Sequence, residues 1–217
     1  AILIMGAKSE PFLPACLVSI ADAVDLVVVN DNSGLARSDN LRAVQQSALH
    51  AQGKTHVIAS EFRGFGYCRT LCLDYLRRLS SPATWVLYLD CDEVHPPSIV
   101  PLTRRVLPRL PAGVGVVDGY FHQFFQSSRY LVSLDHRHNM LFRFNQDITW
   151  DGVVHEKPSN LRGTRITVPH LYYHYGYMLS PDEIGEKWAL YAKLGDRETE
   201  TQLSGVEDII LQTAQRA

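Results

Sequence analysis

"WVLYLDCDEVHPP", Trp85 to Pro97, places three carboxylates at the end of an apolar run. Val86-Leu87-Tyr88-Leu89 reads as a buried strand, and Asp90, Asp92 and Glu93 crowd together directly after it. Like charges at such spacing are costly unless a cation neutralises them. Hard carboxylate oxygens suit Mg2+ or Mn2+ better than zinc, and a metal held by one or two carboxylates keeps positions open for phosphate oxygens. The competing reading is a solvated acidic turn that caps the next helix, helped by Pro96 and Pro97.

Outward from this stretch, the first half alternates strand and helix. Ile2 to Met5 is a strand, and Leu13, Cys16, Leu17 and Ile20 recur at helical spacing in a helix expected from Pro11 to Ile20. Pro11 is placed in its first turn, where a missing N–H costs nothing. Leu26-Val27-Val28-Val29 is a continuous apolar strand ended by the loop formers Asn30-Asp31-Asn32-Ser33-Gly34. A helix through Leu41, Val44 and Ala48, a strand around His56 to Ala59, and a helix from about Tyr67 to Leu79 lead to the strand Trp85 to Leu89. Strands apolar on both faces and separated by helices make a parallel sheet with right-handed crossovers. Ligands bind such sheets beyond the carboxyl ends of the strands. Asp31 and Asp90 each follow a strand, so both are expected at that edge.

The second half differs. Gly115 to Phe125, Asn139 to Phe144 and Arg165 to Tyr177 are strand-like and aromatic. Ser180-Pro181-Asp182-Glu183 is a capping box opening a helix with Ile184, Trp188 and Tyr191. A last amphipathic helix is expected through Val206, Ile209 and Ile210, with Gly205 to Ala217 as a candidate surface-associated segment. No repeat or linker interrupts the chain. The expectation is one α/β domain over 1–217: a Rossmann-like, mostly parallel sheet flanked by helices (1–97), then a mixed half (98–217).

Bulk properties narrow the function. The 217 residues are 46% hydrophobic and 20% charged, enough for a sizeable core and unlike a disordered chain. A formal net charge of −2 argues against broad nucleic-acid binding, which needs a basic face. No apolar stretch approaches a membrane span. The opening Ala1 to Met5 is too short for a signal peptide and lacks a basic start; it reads as a strand in a chain that is trimmed or lacks its initiator Met. Cys16, Cys68, Cys72 and Cys91 contain no C-x2-C pair; Cys16, Cys68 and Cys72 fall within expected helices and read as small core residues, in a reducing, cytoplasmic setting.

Four segments in this order, "LIMGAKSEPFLPACLVSI", "DLVVVNDNSG", "FGYCRTLCLDYL" and "WVLYLDCDE", resemble the family 2 glycosyltransferases with the A-type nucleotide-sugar fold. "FRFNQDITWDGVVHEKP" and "YYHYGY" resemble a bacterial branch carrying a His-Glu pair, and the likeness covers roughly residues 2 to 177. It implies a nucleotide site from Gly6, Ala7, Lys8, Asp31 and Asp90, with Asp92 and Asp90 of the Asp-x-Asp motif on Mn2+ or Mg2+. Asn30 stands where the family more often has Asp. His174 matches a late histidine that reaches the diphosphate or metal. Glu156 aligns with the general base of inverting members, which deprotonates the acceptor; Asp151 is its rival.

Other features stay open. Arg69, near a helix start after Gly64-Phe65-Gly66, is either an anion-binding, nucleotide-site cation or a surface residue paired with Asp74 or Glu61. His155-Glu156 is not a zinc-protease motif, because position 159 is Ser and Pro158 would break the helix. His170, Tyr172 and His174 share one strand face; Tyr173, Tyr175 and Tyr177 share the other and read as packing. "HQFFQSSRY" (His122 to Tyr130) is the candidate acceptor contact.

The leading expectation is therefore a metal-dependent, inverting hexosyltransferase-type enzyme taking a UDP-linked donor. Its acceptor could be a glycan, a lipid-linked saccharide, a peptide or a modified nucleobase. The alternatives are a nucleotidyltransferase making a sugar nucleotide, for which Gly6-Ala7-Lys8-Ser9-Glu10 is a poor loop, and a non-catalytic sugar-nucleotide-binding module.

Overall fold

A computed structural model describes residues 1–80 and 83–195, with only the backbone of 130 and 132–139. The helix expected around Val206 to Ile210 lies outside the described residues.

The first layer is the expected one. β1 (Ile2–Met5) pairs in parallel with β2 (Val27–Asp31), and β2 pairs in parallel with β3 (Thr55–Ala59). Residues on these strands alternate between two apolar clusters. Leu3, Met5, Val27 and Val29 pack with Leu13, Cys16, Leu17 and Ile20 of α1 (Leu13–Ile20) and with Val44 of α2 (Asp39–Gln46). Ile2 and Val28 pack on the other face against Cys72, Leu73 and Leu76. Burial on both faces explains why β1 and the Val27-Val28-Val29 run of β2 are apolar rather than alternating, whereas β3 at the sheet edge is only half-buried.

Three local expectations shift. α1 begins at Leu13, and Pro14 rather than Pro11 occupies its first turn. The single helix through Leu41 and Ala48 is two: Ser47 is extended (φ −71°, ψ 153°) and its hydroxyl caps α3 (Ala48–Ala51). A serine oxygen that bonds local backbone competes with helix continuation. α4 (Phe65–Arg77) starts two residues early, so Gly66 lies inside the helix. A Cβ at Gly66 would lie 2.5 Å from the Gly152 carbonyl oxygen, so this glycine serves close packing.

The strand after α4 is where the topology turns. β4 (Trp85–Leu87) runs on parallel to β1, as expected, and on its other side pairs antiparallel with β7 (Ser127–Arg143). An apolar run buried on both faces does not say which later strand will flank it, so the antiparallel neighbour was not legible. A parallel bridge from Ile2 to Tyr88, and the Leu89 N–H donated to the Ile2 carbonyl at 3.4 Å, joins the two sheets. After β5 (Glu93–Val94) come α5 (Ile99–Pro101) and helical turns to Arg109. β6 (Val114–Phe125) and β7 (Ser127–Arg143) form a long hairpin turning at Gln126 (φ 58°), so "HQFFQSSRY" is a hairpin tip. The small hairpin β8 (Thr149–Asp151) and β9 (Lys157–Ser159) sits on α4, and β10 (Thr164–Tyr177) follows. The second sheet has the order β4-β7-β6-β10-β5, with β10 parallel to β6 and antiparallel to β5. α6 (Pro181–Lys193) opens on the expected capping box at Ser180. Among the described residues, no helix is long and apolar enough to cross a membrane.

Candidate active site

The carboxyl ends of β1, β2 and β4 share one edge, and the acidic turn Asp90 to Glu93 lies there beside β10. Glu93 and His174 are direct partners in the β5–β10 register, so their side chains share a face. Ligand atoms of Asp90, Glu93 and His174 all lie within 4.8 Å of one another. Asp92 joins them: its Oδ1 is 3.5 Å from His174 Nε2. Asp92 Oδ1 and His174 Nδ1 are buried without a hydrogen bond. Gly176 makes this approach possible, because a Cβ there would lie 2.5 Å from Asp92 Oδ2 and 2.8 Å from His174 Cε1.

The acids strain one another. Burial, then the Asp90 charge, pushes the Glu93 carboxyl well above the usual range, although the Asp90 N–H donates to its Oε2 at 2.9 Å. Glu10, in the loop after β1, is pushed up to about 7 by burial and then by Asp92. Oxygen-rich donors with one imidazole, and orphaned buried polar atoms among them, fit a hard divalent cation. The expected ligands Asp90, Asp92 and His174 are thus brought together, with Glu93 added.

Arg69 is a buried strut at the centre of the site. Its side chain is 2% exposed, with Nε donating to Glu156 Oε1 at 2.7 Å, Nη1 to the Leu89 carbonyl at 3.2 Å, and Nη2 to Asp90 Oδ1. The guanidinium also lies 4.9 Å from the Tyr88 ring centre and 5.4 Å from that of Trp150. Burial opposes its charge, but Asp90 and Glu156 outweigh that and hold its pKa above the ordinary value. The surface pairing considered for Arg69 is not the arrangement found: Asp74 pairs with Arg77 and Glu61 with Arg63.

The two candidate bases sit differently. Glu156 lies in the β8–β9 turn with its side chain 12% exposed, turned inward to Arg69. Asp151 is exposed and accepts from the Ser159 hydroxyl. The turn is pinned on α4 by the Phe65 N–H donated to the Val153 carbonyl at 2.9 Å and by the Trp150 N–H donated to Thr70 Oγ1 at 3.2 Å. His155, before Glu156, is left-handed (φ 51°) and lies edge-on to Tyr191.

On the other side of β1, Asp31 borders a cleft of about 640 Å³ with Asn32, Leu35, Ser60 and Phe62. Its Oδ1 accepts the Ser33 N–H at 2.9 Å, the local bond that shapes the turn. Asn30 turns inward: Nδ2 donates to the Cys68 carbonyl at 2.9 Å, and Oδ1 accepts from Asn32 and Ser60. The Gly6-Ala7-Lys8 loop is held by Asn40, whose Nδ2 donates to the Gly6 and Lys8 carbonyls at 3.0 and 2.8 Å. Lys8 itself is exposed and 3.7 Å from Glu183. His170 lies apart in a buried polar pair, 3.0 Å from His95 Nδ1 and 3.1 Å from the Ser98 hydroxyl, its pKa lowered to about 4 by burial.

Tyr173 and Tyr175 point to the opposite face from His174, stacking on Phe124 and Phe12. Four residues were not singled out from sequence: Glu10, Glu93 as a partner of His174, Asn40, and Lys187 on α6. Only Glu93 had a signal, its place in the acidic stretch.

Residues 2–168 match the family model described as Glycosyl transferase family 2. No curated protein sequence matches the chain. Among solved structures, TarS of S. aureus (residues 1–349) is similar at 14% identity and a TM-score of 0.52, over 89% of this chain and 64% of that one. TarS in complex with UDP-GlcNAc is similar at 16% identity and a TM-score of 0.49, over 89% and 65%. A mycobacterial protein is similar at 24% identity and a TM-score of 0.38, over 56% and 40%. The chain spans less than two-thirds of the length of each.

Proposed function

Because the chain belongs to glycosyl transferase family 2, we propose that this glycosyltransferase moves a sugar from a nucleoside diphosphate sugar, UDP-linked in our reading, to an acceptor nucleophile with inversion. We read residues 1–217 as one such domain, acting in a reducing, cytoplasmic setting; the four described cysteines are free and buried, in keeping with this. The observation that carries the reading is the acidic cluster with His174, tied through Arg69 to Glu156 at the sheet's carboxyl edge.

Asp90, Asp92, Glu93 and His174 would hold Mn2+ or Mg2+. When bound, the cation neutralises these acids and polarises diphosphate oxygens. Asp31 and the Gly6-Ala7-Lys8 loop would border the nucleoside. The acceptor hydroxyl attacks the anomeric carbon, the bond from that carbon to the diphosphate oxygen breaks, and the nucleoside diphosphate leaves. Glu156 takes the hydroxyl proton on Oε2, because Arg69 occupies Oε1 and fixes the carboxylate's orientation. The same arginine bonds Asp90, so the base and the cation site share one rigid strut. Asp151, held by Ser159, has the weaker claim as base.

The test is a thermal-shift screen with UDP, GDP, ADP, CMP and dTDP, each with and without Mn2+ or Mg2+. Saturation at a hundred times the dissociation constant adds about 2.7 kcal/mol. One nucleoside diphosphate should stabilise only with metal, and Asp92→Ala should lose that shift and all turnover. Wild-type turnover in Asp92→Ala would sink the assignment, and pyrophosphate release from a nucleoside triphosphate would move it to nucleotidyl transfer.

A further inference from the structure

Resting on the donor reading above, we infer that Lys187 of α6 binds the terminal phosphate of the donor's diphosphate, adding a ligand-facing cation to a core whose own arginine is buried.

Arg69, inside the site, is 2% exposed and already donates to Glu156, the Leu89 carbonyl and Asp90. Lys8 lies at the rim and is 3.7 Å from Glu183. Lys187 is different. Its ammonium donates to the Gly176 carbonyl at 3.0 Å, and Gly176 is the residue packed against Asp92 Oδ2 and His174. Its charge lies close enough to Glu10 to act on that carboxyl, second only to Asp92 among the charged groups. No carboxylate lies within ion-pair distance of Lys187 among the described residues.

The side chain is also pre-aimed. Its stem is half-buried, and the ammonium lies 4.6 Å from the Tyr177 ring centre and 5.9 Å from that of Tyr191. Aromatic walls restrain the long lysine stem, so less rotamer entropy is lost on gripping an anion. Tyr191 meets Phe65 and His155, while Tyr177 lies beside Trp188, so α6 is anchored where Lys187 sits. One carbonyl uses one of three ammonium donors; the others are available to phosphate oxygens. A diphosphate that brings two or more negative charges beside Asp90 and Asp92 needs such a counter-charge as well as the divalent ion.

Calorimetric titration in the presence of Mn2+ separates this role from packing. UDP, GDP, ADP and dTDP are each compared with their own monophosphate, on the wild-type chain, Lys187→Met and Lys187→Arg. Methionine keeps an apolar stem between the tyrosines. The expected result is about tenfold weaker diphosphate binding in Lys187→Met, equivalent to about 1.4 kcal/mol, with monophosphate affinity unchanged and most of the loss restored by arginine. Equal diphosphate affinity in wild type and Lys187→Met would overturn the inference alone. Parallel loss of diphosphate and monophosphate binding would assign Lys187 a packing role and overturn it too. A wild-type chain that binds no nucleoside diphosphate would remove both this inference and the donor reading.

Discussion

Gly176→Ala is the sharpest probe of the site, because the backbone permits alanine there and only space forbids it. Gly176 is not among the glycines with positive φ. A Cβ would meet Asp92 Oδ2 at 2.5 Å and His174 Cε1 at 2.8 Å, whereas ordinary contact begins at 3.4 Å. Asp92 must therefore retreat from the new Cβ by roughly 0.9 Å and His174 by roughly 0.6 Å, or β10 must shift. Overpacking of this kind costs about 1–3 kcal/mol, and each kcal/mol lowers the thermal midpoint of a chain this size by about 2–4 °C. Disturbing the groups that orient metal ligands costs about 10–100-fold in metal affinity. The assay is the thermal midpoint of the folded chain, titrated with Mn2+ with and without the nucleoside diphosphate that stabilises wild type. The ligand-free midpoint should fall by a few degrees, and the Mn2+ concentration for half-maximal stabilisation should rise about 10–100-fold. Gly185→Ala, on α6 with nothing within 4 Å of the new Cβ, is the control; it should keep wild-type Mn2+ dependence and gain up to about 1 kcal/mol of helix stability. An unaltered Mn2+ requirement in Gly176→Ala would refute the claim that Asp92 and His174 act as a pair on the cation.

The base and the pH dependence give two further tests. Glu156→Gln should keep metal-dependent nucleotide binding but lower turnover by about a hundredfold or more, whereas Asp151→Asn should stay within a few-fold of wild type; the reverse order in kcat would reassign the base. Glu10, with a folded pKa raised from 4.5 to about 7, binds its proton more tightly in the native state than in the unfolded chain. Metal-free stability should therefore fall as pH rises from about 4.5 to 7 and level off above, by about 1–2 kcal/mol after allowance for solvent screening. Glu10→Gln should remove that contribution and be the more stable protein at pH 8, as denaturant midpoints would show; an unchanged difference between pH 5 and pH 8 would discard the explanation.

What the sequence by itself determined was whatever repeats along the chain. Two-sided apolar runs at Ile2 and Val27 need helices on both faces, so a layered sheet with its ligand edge beyond Asp31 and Asp90 could be read from periodicity. The capping box at Ser180 and the facing of His170, Tyr172 and His174 opposite Tyr173 and Tyr175 are likewise local, set by turn chemistry and the two-residue strand period. Tertiary structure alone decided that β4 has the antiparallel β7 on its far side, because burial on both faces does not encode which strand lies there. It also decided that Arg69 is buried rather than at the surface, since its partners Asp90 and Glu156 stand 21 and 87 residues away. The β5–β10 register sets Glu93 opposite His174, and the space at Gly176 admits Asp92. Lys187 carries no pattern in its own helix; its meaning comes from the carbonyl, rings and acids that other strands place around it. A charge in a folded chain takes its role from the neighbours it meets through space, and no periodicity within one element records them.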